Sequence, residues 1–369
     1  MLKVEIDLTA IRHNYRCLAG MTRARILPVI KADAYGHGLL PVAAALGSEG
    51  ADMFAVGTVD EACLLKKEVP GKKVYSLLGP ADHNDAQKLA LFKIVPFIHS
   101  WSQLKSLVSL TSTGQRQSIV LKFDTGMTRL GFKPQDAEQL CLFLKKRPDL
   151  MLEAVSSHLA CADDPAMRAV TSSQHERLHR VQEIFQKQGL DCMKSMGNSA
   201  ATLEESMTPA DLVRPGIALY GVNPFQGTAF QSKGAGLKPA MEVSAPVLAV
   251  KALKKNQGVS YGLSFTAPRD MLVAIIGCGY ADGYSRSLSN RAWMSFKGSR
   301  LPVLGRVCMQ LTAVDASQAP EIRPGNEVLI LGRETGSGIS IYQLAGWWNT
   351  VSYEVLCVLG KNQRTYPGR

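Results

Sequence analysis

Long apolar segments are missing from this sequence, and so are clustered cysteines. No apolar run approaches the roughly 18 residues that a membrane-spanning helix needs. The amino-terminal stretch MLKVEIDLTA contains no apolar signal segment, so we expect a cytoplasmic protein. The eight cysteines are widely separated and form no C-x-x-C pair, which indicates reduced thiols rather than a disulfide framework or a zinc ribbon.

Concentrated charge of one sign is also missing. The formal net charge is +11, but the basic residues are scattered and their clusters are pairs and triples such as KKR at 145–147. No basic helix is interleaved with aromatic residues, as nucleic-acid binding favours. The charge therefore fits a small anionic substrate at least as well as a nucleic acid.

The chain has 369 residues, of which 46% are hydrophobic, and this permits one large domain or two. Between about residues 24 and 217, short apolar strands alternate with helical patterns. The candidate strands are RILPVI (25–30), ADMFAV (51–56), KVYSLL (73–78), KIVPFI (93–98), SIVLKF (118–123), MLEAVSS (151–157), DCMKSM (191–196) and DLVR (211–214). Eight such strands predict an α/β fold with a parallel (β/α)8 barrel; an open doubly wound sheet is the alternative.

The composition changes after this alternation ends. The stretch 219–240 is rich in Gly, Pro and polar residues and is interpreted as a linker. Short β-like runs follow, among them MEVSAPVLAVKAL, MLVAIIGCGY and NEVLILG, and they predict a mainly β C-terminal domain. We expect a barrel domain at 1–236 and a β domain at 237–369. Residues 1–8 form a β-like segment that could pair with the second domain.

Polar residues follow five of the predicted strands, at the face where barrel enzymes place their active sites. They are Lys31, Arg129, His158, Asn198 with Ser199, and Arg214. Lys31 comes directly after the apolar run ILPVI, so we expect its amine to lose solvation and to form a Schiff base with a carbonyl compound. Tyr35, in the AYGHG turn that follows, could add a hydroxyl. A lysine whose stem packs while its amine reaches water is the alternative interpretation.

Nine motifs in this order give the chain a family likeness. VIKADAYGHG, LKFDTGMTRLGF, SSHLACAD, GNSAA, LVRPGIALYG, VSYGLSFTA, GYADGYSR, GRVCM and SYEVLC together resemble alanine racemase, from the amino terminus to about residue 357. The resemblance implies a pyridoxal-phosphate enzyme with an α/β barrel, a C-terminal β domain and a head-to-tail homodimer with shared active sites. It implies interconversion of L- and D-alanine, which supplies D-alanine for peptidoglycan.

The resemblance also implies a role for individual residues. Racemisation needs a base on each face of Cα, and the likeness assigns these bases to Lys31, which carries the cofactor, and to Tyr261 of the partner subunit. The implied cofactor-binding residues are Lys31, Tyr35, His158, Ser199, Arg214, Gly216, Ile217 and Tyr353. Arg129 and Met309, the latter from the partner, match substrate-binding positions. The implied supporting residues are Lys122, Asn198 and Tyr280.

Three positions carry more specific expectations. Arg214 matches the residue facing the pyridine nitrogen; because arginine keeps its proton, we expect that nitrogen to stay largely unprotonated and transamination to be limited. Lys122 is either carbamylated, so that it orients Arg129, or an unmodified lysine. Gln310 stands where the family usually has Asp, which affects substrate preference and kinetics.

Other interpretations stay open from the sequence. HERLH at 175–179 matches a zinc-protease motif through His175, Glu176 and His179, with Glu204 or Glu205 as candidate third ligands. A non-catalytic pyridoxal-phosphate-binding barrel and an amino-acid decarboxylase of the same architecture are rivals. The first lacks a second domain, and the second has a glutamate where this chain has Arg214. The substrate could also be serine or a broader range of amino acids.

Overall fold

The computed structural model describes residues 2–111, 116–204, 210–332 and 337–367. The chain forms two compact units. The barrel unit comprises Thr9–Ala34 and Leu39–Lys238, and the C-terminal unit comprises Met1–Leu8, Tyr35–Gly38 and Pro239–Arg369. Within the described residues, no helix is both long enough and apolar enough to cross a membrane.

The described part of the barrel unit contains an eight-stranded parallel sheet. Its strands are β2 (Arg25–Ile26), β3 (Met53–Val56), β4 (Lys73–Ser76), β5 (Val95–Ile98), β6 (Gln117–Lys122), β7 (Leu150–Ser156), β8 (Met193–Ser195) and β9 (Leu212–Val213). Their order is β2-β9-β8-β7-β6-β5-β4-β3. A parallel bridge between Val29 and Ala55 joins the two ends, with Ile30 N–H donating to Ala55 O at 2.8 Å. The predicted barrel is therefore confirmed, and the open sheet is excluded.

Helices separate the barrel strands. They are α1 (Leu8–Met21), α2 (Lys31–Tyr35), α3 (Leu39–Ser48), α4 (Val59–Glu68), α5 (His83–Leu91), α6 (Trp101–Thr111), α7 (Ala137–Lys145), α8 (Arg168–Lys187) and α9 (Ser199–Leu203). Helix α4 shows why such segments are helical: Thr58 caps it, acidic residues fill its first turn, and Lys66 and Lys67 lie in its last turn. These features satisfy free N–H groups and complement the helix dipole.

The stretch interpreted as a linker is packed into the barrel unit. Leu219, Tyr220 and Phe225 are at most 1% exposed. Asn14 of α1 donates to Leu219 O at 3.0 Å and to Lys238 O at 2.8 Å, which fastens both ends of the stretch. The linker interpretation was wrong for residues 219–225, which form buried turns of the barrel unit, whereas most of residues 226–239 are exposed.

The described C-terminal unit is mainly β, as predicted. Its strands are β1 (Lys3–Ile6), β10 (Met241–Leu253), β11 (Gly258–Val259), β12 (Phe265–Thr266), β13 (Met271–Ile276), β14 (Trp293–Phe296), β15 (Ser299–Leu304), β16 (Thr312–Asp315), β17 (Glu327–Leu331) and β18 (Arg364–Thr365). The order β13-β16-β15-β14-β17-β10 closes into an antiparallel barrel through β10–β13 pairing. Strand β1 pairs with β10 on one side and with β18 on the other. Two register shifts in β10 allow it to serve several partners.

Two helices of this unit were not predicted from the sequence. They are α10 (Ile341–Trp348) and α11 (Ser352–Leu359). Helix α10 has a capping box formed by Ser340 and Gln343, and Asn349 ends it in a left-handed conformation. Short apolar stretches of this length fit a strand or a helix equally well, so the cap is the signal that identifies α10, whereas α11 has no side-chain cap.

Candidate active site

A left-handed turn begins directly after Lys31. Ala32, Asp33 and Ala34 have φ of 53 to 54° and ψ of 48 to 53°, and Tyr35 has φ of 53°. Left-handed backbone costs an L-residue about 1–2 kcal/mol, so this turn must be held by its surroundings. Within it, Ala34 N–H donates to Ile30 O at 3.0 Å, and Asp33 Oδ1 accepts from Leu39 N–H at 2.7 Å.

The side chain of Lys31 emerges at the carboxyl end of the barrel strands. It is exposed, which differs from the desolvated setting expected from the sequence. The residue before it, Ile30, is fully buried. The buried run Leu27–Ile30 thus ends at Lys31, and the left-handed turn follows directly.

Arg129 lies in a loop that is organised by Asp124. Asp124 Oδ1 accepts backbone N–H groups of Gly126, Met127 and Thr128 at 2.9 to 3.0 Å, and Oδ2 accepts that of Arg129 at 2.9 Å. Partial burial would raise the pKa of Asp124, but these four donors outweigh it and hold the pKa below its usual value. Asp124 lies within the motif LKFDTGMTRLGF but was not predicted as a site residue.

A glycine is required where this loop closes. Phe123 and Phe132 form a parallel bridge, with Phe132 N–H donating to Lys122 O at 2.8 Å. Gly131 has φ of 142°, and a Cβ there would lie 2.4 Å from Asp124 N. Only glycine permits this approach, so the loop returns to the strand at a fixed position.

Lys122 and His158 stand at the ends of neighbouring strands β6 and β7. Burial, followed by repulsion from Arg214, Arg129 and Lys31, lowers the pKa of Lys122 to about 8, against the opposing effect of Asp124. Burial and the same basic side chains, with Lys122, lower the pKa of His158 to about 3. A small pocket here is lined by Lys122, Phe123, Asp124, Met127, Arg129, Leu130, Ser157 and His158. The barrel mouth is therefore strongly basic.

Arg214 is the most buried of these basic groups. Its Nη1 donates to Ser195 Oγ at 2.5 Å and its Nη2 to Ser157 O at 2.6 Å, and its guanidinium lies 5.8 Å from the centre of the Phe97 ring. Burial lowers the pKa of Arg214 to about 10, so it stays charged at neutral pH. Its two bonds go to neutral oxygens, which leave its charge uncompensated.

Four of the residues predicted to bind the cofactor or to support the site are brought together. Ser199 Oγ accepts backbone N–H groups of Gly216 at 3.0 Å and Ala218 at 3.2 Å. Asn198 caps α9 by accepting Ala201 N–H at 3.1 Å. Ile217 begins the short 3-10 helix Ile217–Tyr220 directly after Gly216. These four predicted residues form one connected corner that follows strands β8 and β9.

Helix α8 supports the mouth from outside through residues that the sequence analysis missed. Gln174 donates to His158 O at 3.1 Å and accepts Ala160 N–H at 3.0 Å, while Arg177 donates to Thr125 O at 3.0 Å. Both side chains lie within or beside the HERLH segment. Their amide and guanidinium groups bind the loops that carry His158 and Arg129. These contacts leave no local signal in the sequence.

The alternative of a zinc site at His175, Glu176 and His179 lacks a third ligand within the described residues. His175 and His179 stack along the helix surface with ring centres 6.5 Å apart, and His179 faces Glu183 at 3.5 Å. Glu176 faces Arg180 at 4.0 Å. Within the described ranges no group of three potential metal ligands exists. Glu204, proposed as a ligand, instead pairs with Arg168 and Lys233, and Glu205 lies outside the described residues.

In the C-terminal unit, Tyr35 lies beside Tyr353. Their ring centres are 6.1 Å apart. Burial, followed by the proximity of Tyr353 and Cys357, raises the pKa of Tyr35 well above its usual value. Gly36 packs against α11 so closely that a Cβ would lie 2.4 Å from Leu356 O. Tyr35 and Gly36 are thus packed against the SYEVLC helix.

An exposed apolar patch occupies another part of the C-terminal unit. It consists of Tyr261, Leu263, Tyr280, Met309 and Leu311, which are 42 to 68% exposed. Ala281 N–H donates to Met309 O at 2.9 Å, and Ser260 Oγ donates to Arg306 O at 2.5 Å, so the three segments are joined. Gln310 is exposed within it. Joined apolar side chains of this size are typical of an interaction surface.

Comparison with known proteins agrees with this architecture. The family model described as the alanine racemase N-terminal domain matches residues 6–224, and the one described as the C-terminal domain matches residues 240–366. The chain belongs to the alanine racemase family. The predicted likeness is confirmed, and the second match covers the region that a barrel-only binding protein lacks.

Individual alanine racemases resemble the chain over its whole length. An alanine racemase of Nitratidesulfovibrio vulgaris (strain Miyazaki F) is 46% identical over 366 residues, covering 99% of this chain and 98% of the relative. Two solved alanine racemases are similar in structure. The Bartonella henselae enzyme, with covalently bound pyridoxal phosphate, has a TM-score of 0.89 at 31% identity and 99% coverage of both chains. The Streptomyces coelicolor enzyme has a TM-score of 0.93 at 30% identity, covering 100% and 98%.

Proposed function

We propose that the chain interconverts L- and D-alanine with pyridoxal phosphate attached to Lys31, and that the product D-alanine serves peptidoglycan synthesis. One observation carries the cofactor proposal. Lys31, Arg129 and Arg214 all lie within electrostatic reach of Lys122 and of His158 at the barrel mouth. Their mutual repulsion favours an anionic ligand there, and an aldehyde phosphate offers both a dianion and a partner for the amine.

The residues present fit this cofactor chemically. The side chain of Lys31 is exposed, and its amine is the group that would attach the aldehyde. At the corner of Ser199, Gly216 and Ile217, the Gly216 N–H donates to Ser199 Oγ, so the Ser199 hydroxyl proton would be directed to a phosphate. The bound cofactor would supply an electron-withdrawing group that weakens the Cα–H bond of the amino acid.

Two bases on opposite faces of Cα would then move the proton. We assign them to the Lys31 amine and the Tyr261 hydroxyl, as the family likeness implies. The pKa of Arg214, about 10, keeps its guanidinium charged at neutral pH, so it would face the ring nitrogen of the cofactor as a donor that does not give up its proton. Such a donor would limit delocalisation of charge into the ring and thereby side reactions such as transamination.

The alanine carboxylate would be bound by Arg129 and by the backbone of Met309 of the partner subunit. Asp124 holds the Arg129 loop at four N–H groups, so the guanidinium is presented from a fixed loop. Tyr280 would narrow the access route and favour a small side chain. This arrangement supports alanine over larger amino acids.

We further propose that the active form is a homodimer. The apolar patch contains Tyr261 and Met309, which the family likeness places at a shared active site, and Tyr280, which it places at the substrate entrance. Their exposure in the single chain is the expected state of side chains that a second copy covers. Tyr261 would then act on substrate bound at the partner's Lys31.

Incubation with L-alanine, L-serine and other L-amino acids in heavy water tests the assignment. We expect inversion and Cα deuterium incorporation with alanine foremost, and borohydride labelling at Lys31. Tyr261→Phe should reduce inversion by about 10²- to 10⁴-fold, while deuterium exchange of one enantiomer, served by Lys31, continues. A Lys31→Ala variant that inverts alanine at the wild-type rate would refute the proposal. The cellular role is tested by expressing the gene in a D-alanine auxotroph and measuring growth without added D-alanine.

A further inference from the structure

A second carboxylate holds the barrel mouth, at the turn that follows Lys31. Glu61 Oε1 accepts the backbone N–H of Ala32 at 2.7 Å and faces that of Asp33 at 3.4 Å. Glu61 Oε2 accepts the N–H of Gly57 at 2.8 Å and that of Thr58 at 3.1 Å. One side chain thus joins the left-handed turn to the end of β3 and the start of α4.

The left-handed turn depends on contacts of this kind. Its residues include Ala32 and Ala34, which have no intrinsic preference for left-handed backbone. Glu61 binds the turn at its first N–H group, one peptide bond from Lys31. On the same side, a Cβ at Gly57 would contact Glu61 Oε2 at 3.0 Å and Lys31 Cβ at 3.7 Å. The lysine stem is therefore packed beside the segment that Glu61 fastens.

We propose that Glu61 is a positioning residue for Lys31. Its carboxylate fixes the left-handed turn, and the turn fixes the direction in which the lysine stem leaves the barrel. The inference rests on the proposed function, because the position of the Lys31 amine affects activity only if Lys31 carries the cofactor. It adds a residue that touches neither substrate nor cofactor.

A purely structural role for Glu61 is the competing explanation, and the chain offers a matched control. Glu61 also completes the capping box of α4 with Thr58, whose Oγ1 accepts Glu61 N–H at 3.1 Å. Thr58→Ala removes that capping bond but leaves the Glu61 carboxylate and its four N–H neighbours in place. Helix capping and lysine positioning are therefore separable by two single substitutions.

The experiment compares wild type, Glu61→Gln, Glu61→Asp and Thr58→Ala as holoenzymes equilibrated with graded pyridoxal phosphate. Borohydride labelling at Lys31, kcat, KM for alanine and Tm are measured. For Glu61→Gln we expect about tenfold more cofactor for half-labelling and a kcat lower by about 10- to 100-fold, the effect of a displacement near 1 Å. KM should change little, because Arg129 lies on another loop. Glu61→Asp should recover part of the loss, and Thr58→Ala should lower Tm alone.

Each contrary outcome has a distinct meaning. Wild type that takes no label at Lys31 would end the proposed function itself. Labelled wild type together with Glu61→Gln of unchanged kcat and cofactor dependence would overturn the positioning role, as would equal losses in Thr58→Ala. If Glu61→Gln does not fold, hydrogen exchange of the backbone amides in the wild type tests whether Glu61 holds the turn. The Ala32 amide should be protected by about 100-fold or more, and an unprotected amide overturns the inference.

Discussion

The loop that carries Arg129 gives the sharpest quantitative prediction. Asp124→Asn keeps the size of the side chain but removes its charge, and one of its two oxygens becomes an NH2 group. The amide oxygen can still serve the N–H groups of Gly126 to Thr128, whereas the NH2 group then faces the N–H of Arg129. The Arg129 backbone bond is the one that this substitution cannot preserve.

The size of the effect follows from that lost bond. A hydrogen bond to a charged acceptor contributes about 1.5–3 kcal/mol, so we take about 2 kcal/mol for the Arg129 N–H. At 1.4 kcal/mol per factor of ten, this corresponds to about 30-fold. Part of it will appear as lower stability, so we expect kcat/KM for alanine to fall by about tenfold, mostly through a higher KM.

The assay follows optical inversion of alanine over a range of concentrations, together with inhibition by acetate as a carboxylate probe. Asp136→Asn is the matched control. Asp136 Oδ2 also accepts a backbone N–H, that of Lys133 at 2.9 Å, but outside the Arg129 loop. The control should keep the wild-type KM and acetate inhibition. A folded Asp124→Asn enzyme with wild-type KM and acetate inhibition would show that the carboxylate does not position Arg129.

Three further predictions concern the basic groups of the mouth. The pKa of Lys122, about 8, lies below the unfolded value of about 10.4, so the unfolded chain binds more protons between them. Lys122 should therefore contribute on the order of 2 kcal/mol more to the free energy of unfolding at pH 10 than at pH 8, and urea titrations measure this contribution as the pH-dependent difference between wild type and Lys122→Met. The pKa of His158, about 3, lies below the unfolded value of about 6.5; stability should fall as pH drops from 6.5 towards 3, and an NMR midpoint for this ring near 6.5 would contradict the structure. Arg214→Glu should increase pyruvate formation from alanine by transamination, and no increase over wild type would count against the role given to the guanidinium.

Much of the barrel could be predicted from the sequence because its strands are short, apolar and separated by helical patterns. In β3, all four residues Met53–Val56 are buried, and a continuous apolar run is the expected signature of a strand covered on both faces. The functional residues at strand ends follow from the same pattern, since parallel strands end at one face. The structure places Lys31, His158 and Arg214 at that face.

Other parts of the site depend on tertiary contacts that leave little local signal. The left-handed turn contains Ala32 and Ala34, and nothing in their side chains favours that backbone. Glu61 belongs to a T-x-x-E capping box, which sequence rules can identify, but its bond to Ala32 crosses to a distant segment. The segment 219–225 was misassigned because Gly and Pro content does not distinguish a buried turn from an exposed linker. The burial of Phe225 decides between them.

The pairing of β1 has a consequence for how the chain is made. This strand leaves the ribosome early, yet its partners β10 and β18 begin at Met241 and Arg364. Strand β1 therefore stays unpaired until the barrel unit, which ends at Lys238, has been synthesised. Its outward residues Lys3 and Glu5 are charged, and charges on an unpaired strand discourage pairing with other nascent chains.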